Sequence, residues 1–299
     1  MEQNSPMFKL VIASGKGGTG KTTVAVNLAL ALSNTEQKVQ LLDCDVEEPN
    51  AHLFLKPQIE AEHIIGIPVP EINRDRCSYC GRCSEICVFK VLSVFSDQVM
   101  ILPELCHGCG SCSYLCPEKA ITEVERSIGV VEKGSFGELL FAHGRLNPGE
   151  AMSPPLINAV KKLAAADRYC IIDAPPGTSC SVVSAVNACD YCLLVTEPTP
   201  FGLNDLDLAF RMVKSLGIPA GVVINRCDLG YMGVENYCRQ HNLPVLEKIP
   251  FDRELAEMYA RGEPVVKTLP RWKNIFLNLN RKILQKWEEA KGHEKNYCN

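Results

Sequence analysis

Short, near-continuous apolar runs recur along the chain: "FKLVIAS" at 8–14, "KVQLLDC" at 38–44, "YCIIDA" at 169–174, "YCLLVT" at 191–196, "AGVVIN" at 220–225 and "PVLEKI" at 244–249. Runs this short, rich in Val, Ile and Leu and without a polar alternate face, fit strands buried on both sides. Most of the stretches between them have helical apolar character, as in "TVAVNLALALS" after the first. Strands alternating with helices predict a doubly wound α/β domain with a mostly parallel sheet. "MSPPLINAVKKLAAA" supplies one helix, with Ser153 as its expected N-cap and Pro154 in the first turn, where a missing N–H does no harm.

From 67 to 126 this rhythm stops and an internal duplication replaces it. "CSYCGRCSEICVFKVL" at 77–92 aligns with "CHGCGSCSYLCPEKAI" at 106–121, at an offset of 29 residues. The chain is then expected to pass through a Gly-containing loop before the sheet pattern resumes. The domains expected are therefore 1–66 together with 127–299, interrupted by an insertion at 67–126.

Composition narrows the chemistry. At 299 residues, 46% apolar and 22% charged, the chain is an ordinary globular protein with a sizeable core. A formal net charge of −4 and scattered Lys and Arg weigh against a nucleic acid partner. No charged-then-apolar leader opens the chain and no apolar run approaches the roughly 18 residues that cross a bilayer, so a cytoplasmic protein is expected. Sixteen cysteines in a reducing compartment argue for metal ligation over disulfides, and eight of them lie in the duplicated segment.

Each copy spaces its cysteines C-x2-C-x2-C-x3-C, the bacterial run for cubane iron–sulfur clusters, in which the fourth cysteine serves the other cluster. On that rule one cluster takes Cys77, Cys80, Cys83 and Cys116, and the other takes Cys106, Cys109, Cys112 and Cys87. Gly81, Gly108 and Gly110 suit tight turns whose N–H groups face sulfur. Two zinc sites or disulfides are the weaker alternatives. Over about 60 residues the segment resembles a two-cluster, eight-iron ferredoxin of the bacterial type, which implies a small α+β fold and two [4Fe-4S] clusters. It departs from that pattern at Val88, where the second copy has Pro117.

"GKGGTGKT" at 15–22 fits G-x-x-x-x-G-K-[ST] after a strand and before a helix. Gly15, Gly17, Gly18, Thr19 and Gly20 form a backbone cradle for phosphate, Lys21 reaches the outer phosphates, Thr22 meets Mg2+, and Thr23 follows in the opening turn. With the second lysine, Lys16, the stretch resembles the deviant P-loop ATPases of the partition, septum-site, nitrogenase iron protein and iron–sulfur carrier group. The resemblance implies a homodimer around ATP in which Lys16 reaches the partner's nucleotide. It also implies that Asp45, rather than Asp43, orients the attacking water and that Asp173 of "CIIDAPPG" lies on the magnesium side. Asn225 of "VINR", with Arg226 beside it, falls at the adenine contact, and the loop Pro250 to Asp252 closes over the base. The whole chain is similar to septum-site-type ATPases that contain an inserted ferredoxin domain. Iron–sulfur carriers usually have a C-x2-C pair in the later half, where here Cys227 stands without a partner.

Cys180 lies seven residues after Asp173, at the offset where the nitrogenase iron protein has a cysteine that helps hold a cluster shared by two subunits. Residues 129–154 contain no second cysteine to complete that analogy, so a bridging cluster at Cys180 would be labile. Cys189 and Cys192 of "CDYC" have metal-ligand spacing but are better read as buried thiols. The tail "RWKNIFLNLNRKILQKWEEAKG" is an amphipathic helix for which packing is favoured over membrane contact. Three functions follow: gating of electron flow toward a partner protein or metallocluster, ATP-dependent assembly or carriage of clusters, and, with least support, a positioning ATPase with a redox sensor.

Overall fold

The computed structural model describes residues 8–297, and Cys298 lies outside them. β1 (Lys9–Ala13) leads through the glycine loop into α1 (Lys21–Ser33), and β2 (Val39–Asp43) into the short α2 (Ala51–Leu55). Then come β3 (Gln58–Ile72), α3 (Arg82–Ile86), β4 (Leu92–Val94), β5 (Val99–Ile101), α4 (Ser111–Tyr114), β6 (Ile121–Phe136) and β7 (Leu139–Leu146). The remainder alternates: α5 (Ser153–Lys161), β8 (Tyr169–Asp173), α6 (Cys180–Val186), β9 (Tyr191–Thr196), α7 (Pro200–Ser215), β10 (Ala220–Asn225), α8 (Gly233–Gln240) and β11 (Val245–Ile249). Three helices close the chain, α9 (Arg253–Ala260), α10 (Val265–Thr268) and α11 (Pro270–Tyr297).

Nine strands form one sheet in the order β11-β10-β9-β1-β8-β2-β7-β6-β3. The seven from β11 to β7 are parallel; β6 pairs antiparallel with β7, and β3 pairs antiparallel with β6 at the edge. One face is covered by α5, α6, α7 and α8, the other by α1, α10 and α11, each burying its own apolar core. The tail helix belongs to the second core: Trp272, Phe276, Leu279 and Ile283 are buried, as packing requires. No helix among the described residues is long and apolar enough to cross a membrane.

Two local expectations are corrected. Ser153 is the first helical residue rather than the cap, and its hydroxyl lies 2.6 Å from that of Ser181, tying α5 to α6. The stretch after the duplication is not a loop but the hairpin of β6 and β7, paired from Gly129↔Leu146 to Phe136↔Leu139.

The duplicated segment hangs from β3 and β6, and the expected limits of the insertion, Ile67 and Arg126, stand opposite each other on one rung of that pair. Its internal twofold is exact in register. Adding 29 to Ile72 and subtracting 29 from Ile121 converts their pairing into Ile101↔Leu92 of the small β4–β5 sheet, and Pro70↔Glu123 into Val99↔Val94. Left-handed backbone recurs at the same offset: Tyr79 and Gly108, Gly81 and Gly110, Lys90 and Lys119.

Candidate nucleotide and cluster sites

At the C-terminal end of the parallel strands a cavity of about 430 Å³ opens beside α1. Gly17, Gly18, Gly20, Lys21, Thr22, Thr23 and Asp45 line one side of it, and Asn225, Arg226, Pro250 and Asp252 the other. The opening turn of α1 has no capping side chain and no acidic residue, so its N–H groups face the cavity unclaimed, as an anion site requires. Gly20 sits at φ +96°, and a Cβ there would come within 2.6 Å of the Asn225 amide, whose Nδ2 donates to the Thr19 carbonyl at 2.9 Å. Gly15 plays a different part. A Cβ on it would meet the Asp205 carbonyl at 2.1 Å, so it permits α7 to approach rather than facing the cavity.

Burial separates the carboxylates. Asp43 and Asp173 are paired neighbours on β2 and β8, both fully buried. Asp43 accepts from the backbone N–H groups of Asp45, Asn50 and Ala51 at 3.0–3.1 Å and so shapes the loop that carries Asp45. Burial, and next the charge of Asp173, push Asp43 up to about 8. Asp45 lines the cavity and is pushed up to about 6, chiefly by burial, with Lys21 pulling it back. Both oxygens of Asp173 lack a hydrogen-bond partner, and burial raises its pKa while Lys21 and Thr22 draw it down. A buried carboxylate left without donors beside a threonine hydroxyl suits a divalent cation.

Lys16 is not among the residues lining this cavity; it stands 3.5 Å from Glu197, and the same carboxylate takes Arg226 at 2.8 Å. The Asp252 carboxylate caps α9 through the N–H groups of Glu254 and Leu255 and pairs with Arg271 at 2.7 Å. Phe251, within the expected 250–252 loop, is joined by Tyr259 and Phe276, neither expected at this site from the sequence, to give the cavity aromatic wall. Cys180 is exposed at the first turn of α6, apart from the cavity. Cys189 and Cys192 are buried in the core, the former donating to the Ala185 carbonyl.

The eight clustered cysteines divide between two further cavities. One is lined by Cys77, Cys80, Cys83 and Cys116; the other by Cys87, Cys106, Cys109 and Cys112. Equivalent N–H groups meet sulfur, Val91 to Cys87 and Ala120 to Cys116, both at 3.3 Å. Among the described residues no three His, Cys, Asp or Glu side chains converge closely enough for a single metal ion. Four thiols around one cavity are the number of ligands that a four-iron cluster or a zinc ion requires.

A sequence profile of the CobQ/CobB/MinD/ParA nucleotide-binding domain matches residues 10–265. The chain belongs to this family. Within it, this ATPase is 32% identical over 268 residues to an uncharacterised protein of Methanocaldococcus jannaschii, covering 88% of this chain and 93% of that one. It is 28% identical to a protein of Pyrococcus abyssi named iron–sulfur cluster carrier protein, over 96% of this chain and 89% of the other. The septum site-determining protein MinD of Pyrococcus horikoshii, solved with Mg-ADP, superimposes with a TM-score of 0.59 at 21% identity, over 91% and 94% of the two chains. The MinD-type fold thus accounts for the sheet, and the cysteine segment is carried on its antiparallel edge.

Proposed function

We propose that this ATPase gates electron flow through two [4Fe-4S] clusters, held by the inserted segment 67–126, toward a partner protein or metallocluster. The carrying observation is that the eight thiols fall into two four-cysteine cavities, on strands belonging to the same sheet as the nucleotide cavity. Thiols gathered four to a cavity suit resident groups, which supply one-electron chemistry when bound. ATP with Mg2+ would lie on the cradle 17–23, with Lys21 on the phosphates, Thr22 and Asp173 toward the cation, Asp45 toward the attacking water, and Asn225, Arg226 and the 250–252 loop at the base. Closure of a homodimer would draw Lys16 from Glu197 to the partner's nucleotide.

Carriage of clusters is the second reading, favoured by relatives named for it that align over 95–96% of this chain. In it the exposed Cys180, doubled across a dimer, would offer two ligands to a labile cluster. The deciding experiment mixes iron-loaded protein with an iron-free acceptor, with and without ATP, and titrates the redox centres in parallel. Gating predicts no iron transfer and an ATP-dependent potential shift of roughly 40–130 mV, the equivalent of about 1–3 kcal/mol of coupling. ATP-dependent iron transfer with an unmoved potential would establish the carrier instead.

A further inference from the structure

The two cysteine cavities match in backbone but differ in position and surroundings. β6 keeps β7 as a neighbour only as far as Gly129; Ile128 is a bulge whose carbonyl accepts from the Asn147 N–H, and the seven residues from Ser127 to Ile121 pair with β3 alone. At ~3.3 Å per residue the pair projects about 23 Å beyond the shared sheet. Pro68, Pro70 and Glu123 line the cavity of Cys87, Cys106, Cys109 and Cys112, whereas Ile72 and Ile121, at the tip, line that of Cys77, Cys80, Cys83 and Cys116. The latter is therefore distal to the nucleotide-bearing sheet.

Phe89 and His107 stack 3.4 Å apart against the proximal cavity. The repeat puts Glu118 and Ser78 at the equivalent places beside the distal one. Charge diverges in the same sense. Arg74, Arg76 and Arg82 flank the distal thiols where the second copy has Pro103, Leu105 and Ser111. All three are exposed, and none makes an ion pair among the described residues. Segment 74–90 carries four cations and two carboxylates, against one and two in 103–119. Tyr114, 88% exposed, stands two residues before the distal ligand Cys116 where the first copy has Glu85.

We propose that the distal rim is the docking surface for an acidic one-electron carrier protein. This rests on the cluster reading above. The guanidinium groups of Arg74, Arg76 and Arg82 meet carboxylates of the carrier, and Tyr114 supplies the apolar anchor, the residue pair most often central to interfaces. One electron leaves the reduced carrier for the group held by Cys77, Cys80, Cys83 and Cys116; the carrier is oxidised by one electron, the acceptor reduced by one, and no bond changes. Opposite charge speeds the encounter and makes it sensitive to salt.

The test uses iron-loaded, full-length protein and an oxidised acidic two-cluster bacterial ferredoxin as probe, with affinity read by fluorescence anisotropy at low and high salt. Wild type should bind at least about tenfold more tightly at low salt. The triple reversal Arg74→Glu, Arg76→Glu, Arg82→Glu should lose at least about tenfold at low salt and slow stopped-flow electron transfer from the reduced probe in proportion. The gentler Arg→Gln triple should lose less, with iron content unchanged in both. Reversals at Arg211, Arg239 and Arg253 should change nothing. Equal affinity in wild type and both rim variants, or equal loss in the control, overturns the docking surface. Wild type that takes up no iron ends the cluster reading and this inference with it.

Discussion

Replacing Asp173 with Asn should stabilise the metal-free protein while destroying its hydrolytic activity. Asp173 is fully buried with both oxygens unpartnered, and it stands opposite Asp43, the other buried carboxylate. Both have folded-state pKa values raised by burial, with Asp43 pushed further by Asp173 to about 8. A carboxylate raised on folding binds protons more tightly in the native state, so stability is lost as pH climbs from the unfolded value near 4 toward the folded one. Over pH 6–8 the penalty for one proton grows by at most about 1.4 kcal/mol per unit. The amide cannot ionise and removes the push on Asp43. The variant should therefore gain on wild type by about 1–2.5 kcal/mol between pH 6 and pH 8. Urea unfolding of both proteins in EDTA, without nucleotide, at several pH values measures this, and taking their difference cancels any contribution from the cysteine segment. Excess Mg-ATP should reverse the ranking, because only wild type offers a carboxylate to the cation. A difference flat in pH, or a variant less stable throughout, would refute the burial reasoning.

Lys21→Ala should abolish nucleotide binding, whereas Asp45→Ala should bind ATP and hydrolyse it slowly, as equilibrium binding and turnover assays would separate; equal loss of binding in both counts against the assignment. Gly20→Ala, forced into φ +96° with its methyl 2.6 Å from the Asn225 amide, should cost about 1–2 kcal/mol in urea unfolding and weaken ATP binding, where an unchanged affinity would show that Asn225 is not needed in place. Anaerobic protein should carry about eight irons per chain and Cys83→Ala about four, with zinc in their place ending the cluster assignment. Glu132→Ala leaves the buried His143, now 2.7 Å from Glu132, without a partner on either ring nitrogen and should cost about 1–3 kcal/mol by urea unfolding, Glu132→Gln distinctly less; equal costs would mean that packing, not the hydrogen bond, holds the pair.

The parallel strands were legible because burial on both faces writes an uninterrupted apolar run; "YCLLVT" and "AGVVIN" coincide with β9 and β10 residue for residue. β3, β6 and β7 were not. β3 is an edge strand whose outward side chains, Glu60, Glu62 and His63 among them, break the run. In β6 the glycines that read as a loop are demanded by close packing: a Cβ at Gly134 would strike the Gln58 carbonyl at 2.0 Å, and one at Gly129 the Arg145 carbonyl at 2.5 Å. Of the nucleotide cavity, the contiguous glycine loop and the 250–252 loop could be read, but Tyr259 and Phe276 come from two separate helices with no local pattern to join them. Asp43 and Asp45 are alike in spacing, and only the three N–H groups converging on Asp43 distinguish the residue that shapes the loop from the one facing the cavity. The pairing of Lys16 and Arg226 with Glu197 likewise depends on side chains some 30 to 180 positions apart.

The register of the sheet joins the two kinds of site physically. Asp173, Asp43, His143 and Glu132 stand opposite one another across β8, β2, β7 and β6, so one transverse row runs from the candidate magnesium carboxylate to the strand that carries the cysteines. Burial lowers the pKa of His143 and keeps its ring neutral in the metal-free protein, while His52 of α2, whose helix begins at the N–H groups held by Asp43, lies 5.0 Å from that ring. A cation at Asp173 would remove one push on Asp43 and add an attraction, leaving Asp43 ionised. Strands lie ~4.8 Å apart. At an effective dielectric constant of about 20, a new charge on Asp43 favours an imidazolium at His143 by about 3.5 kcal/mol, and the cation with Asp173, about +1 two strands away, opposes it by about 1.7, leaving about 1.7; at Glu132 the same two terms leave about 0.6 kcal/mol. The first net figure exceeds the roughly 1 kcal/mol net worth of an ordinary hydrogen bond, and the second does not. His143 is thus where metal loading acts most strongly on this row, and its contact with Glu132 is the step through which β6, and the cysteine segment beyond it, would sense the nucleotide.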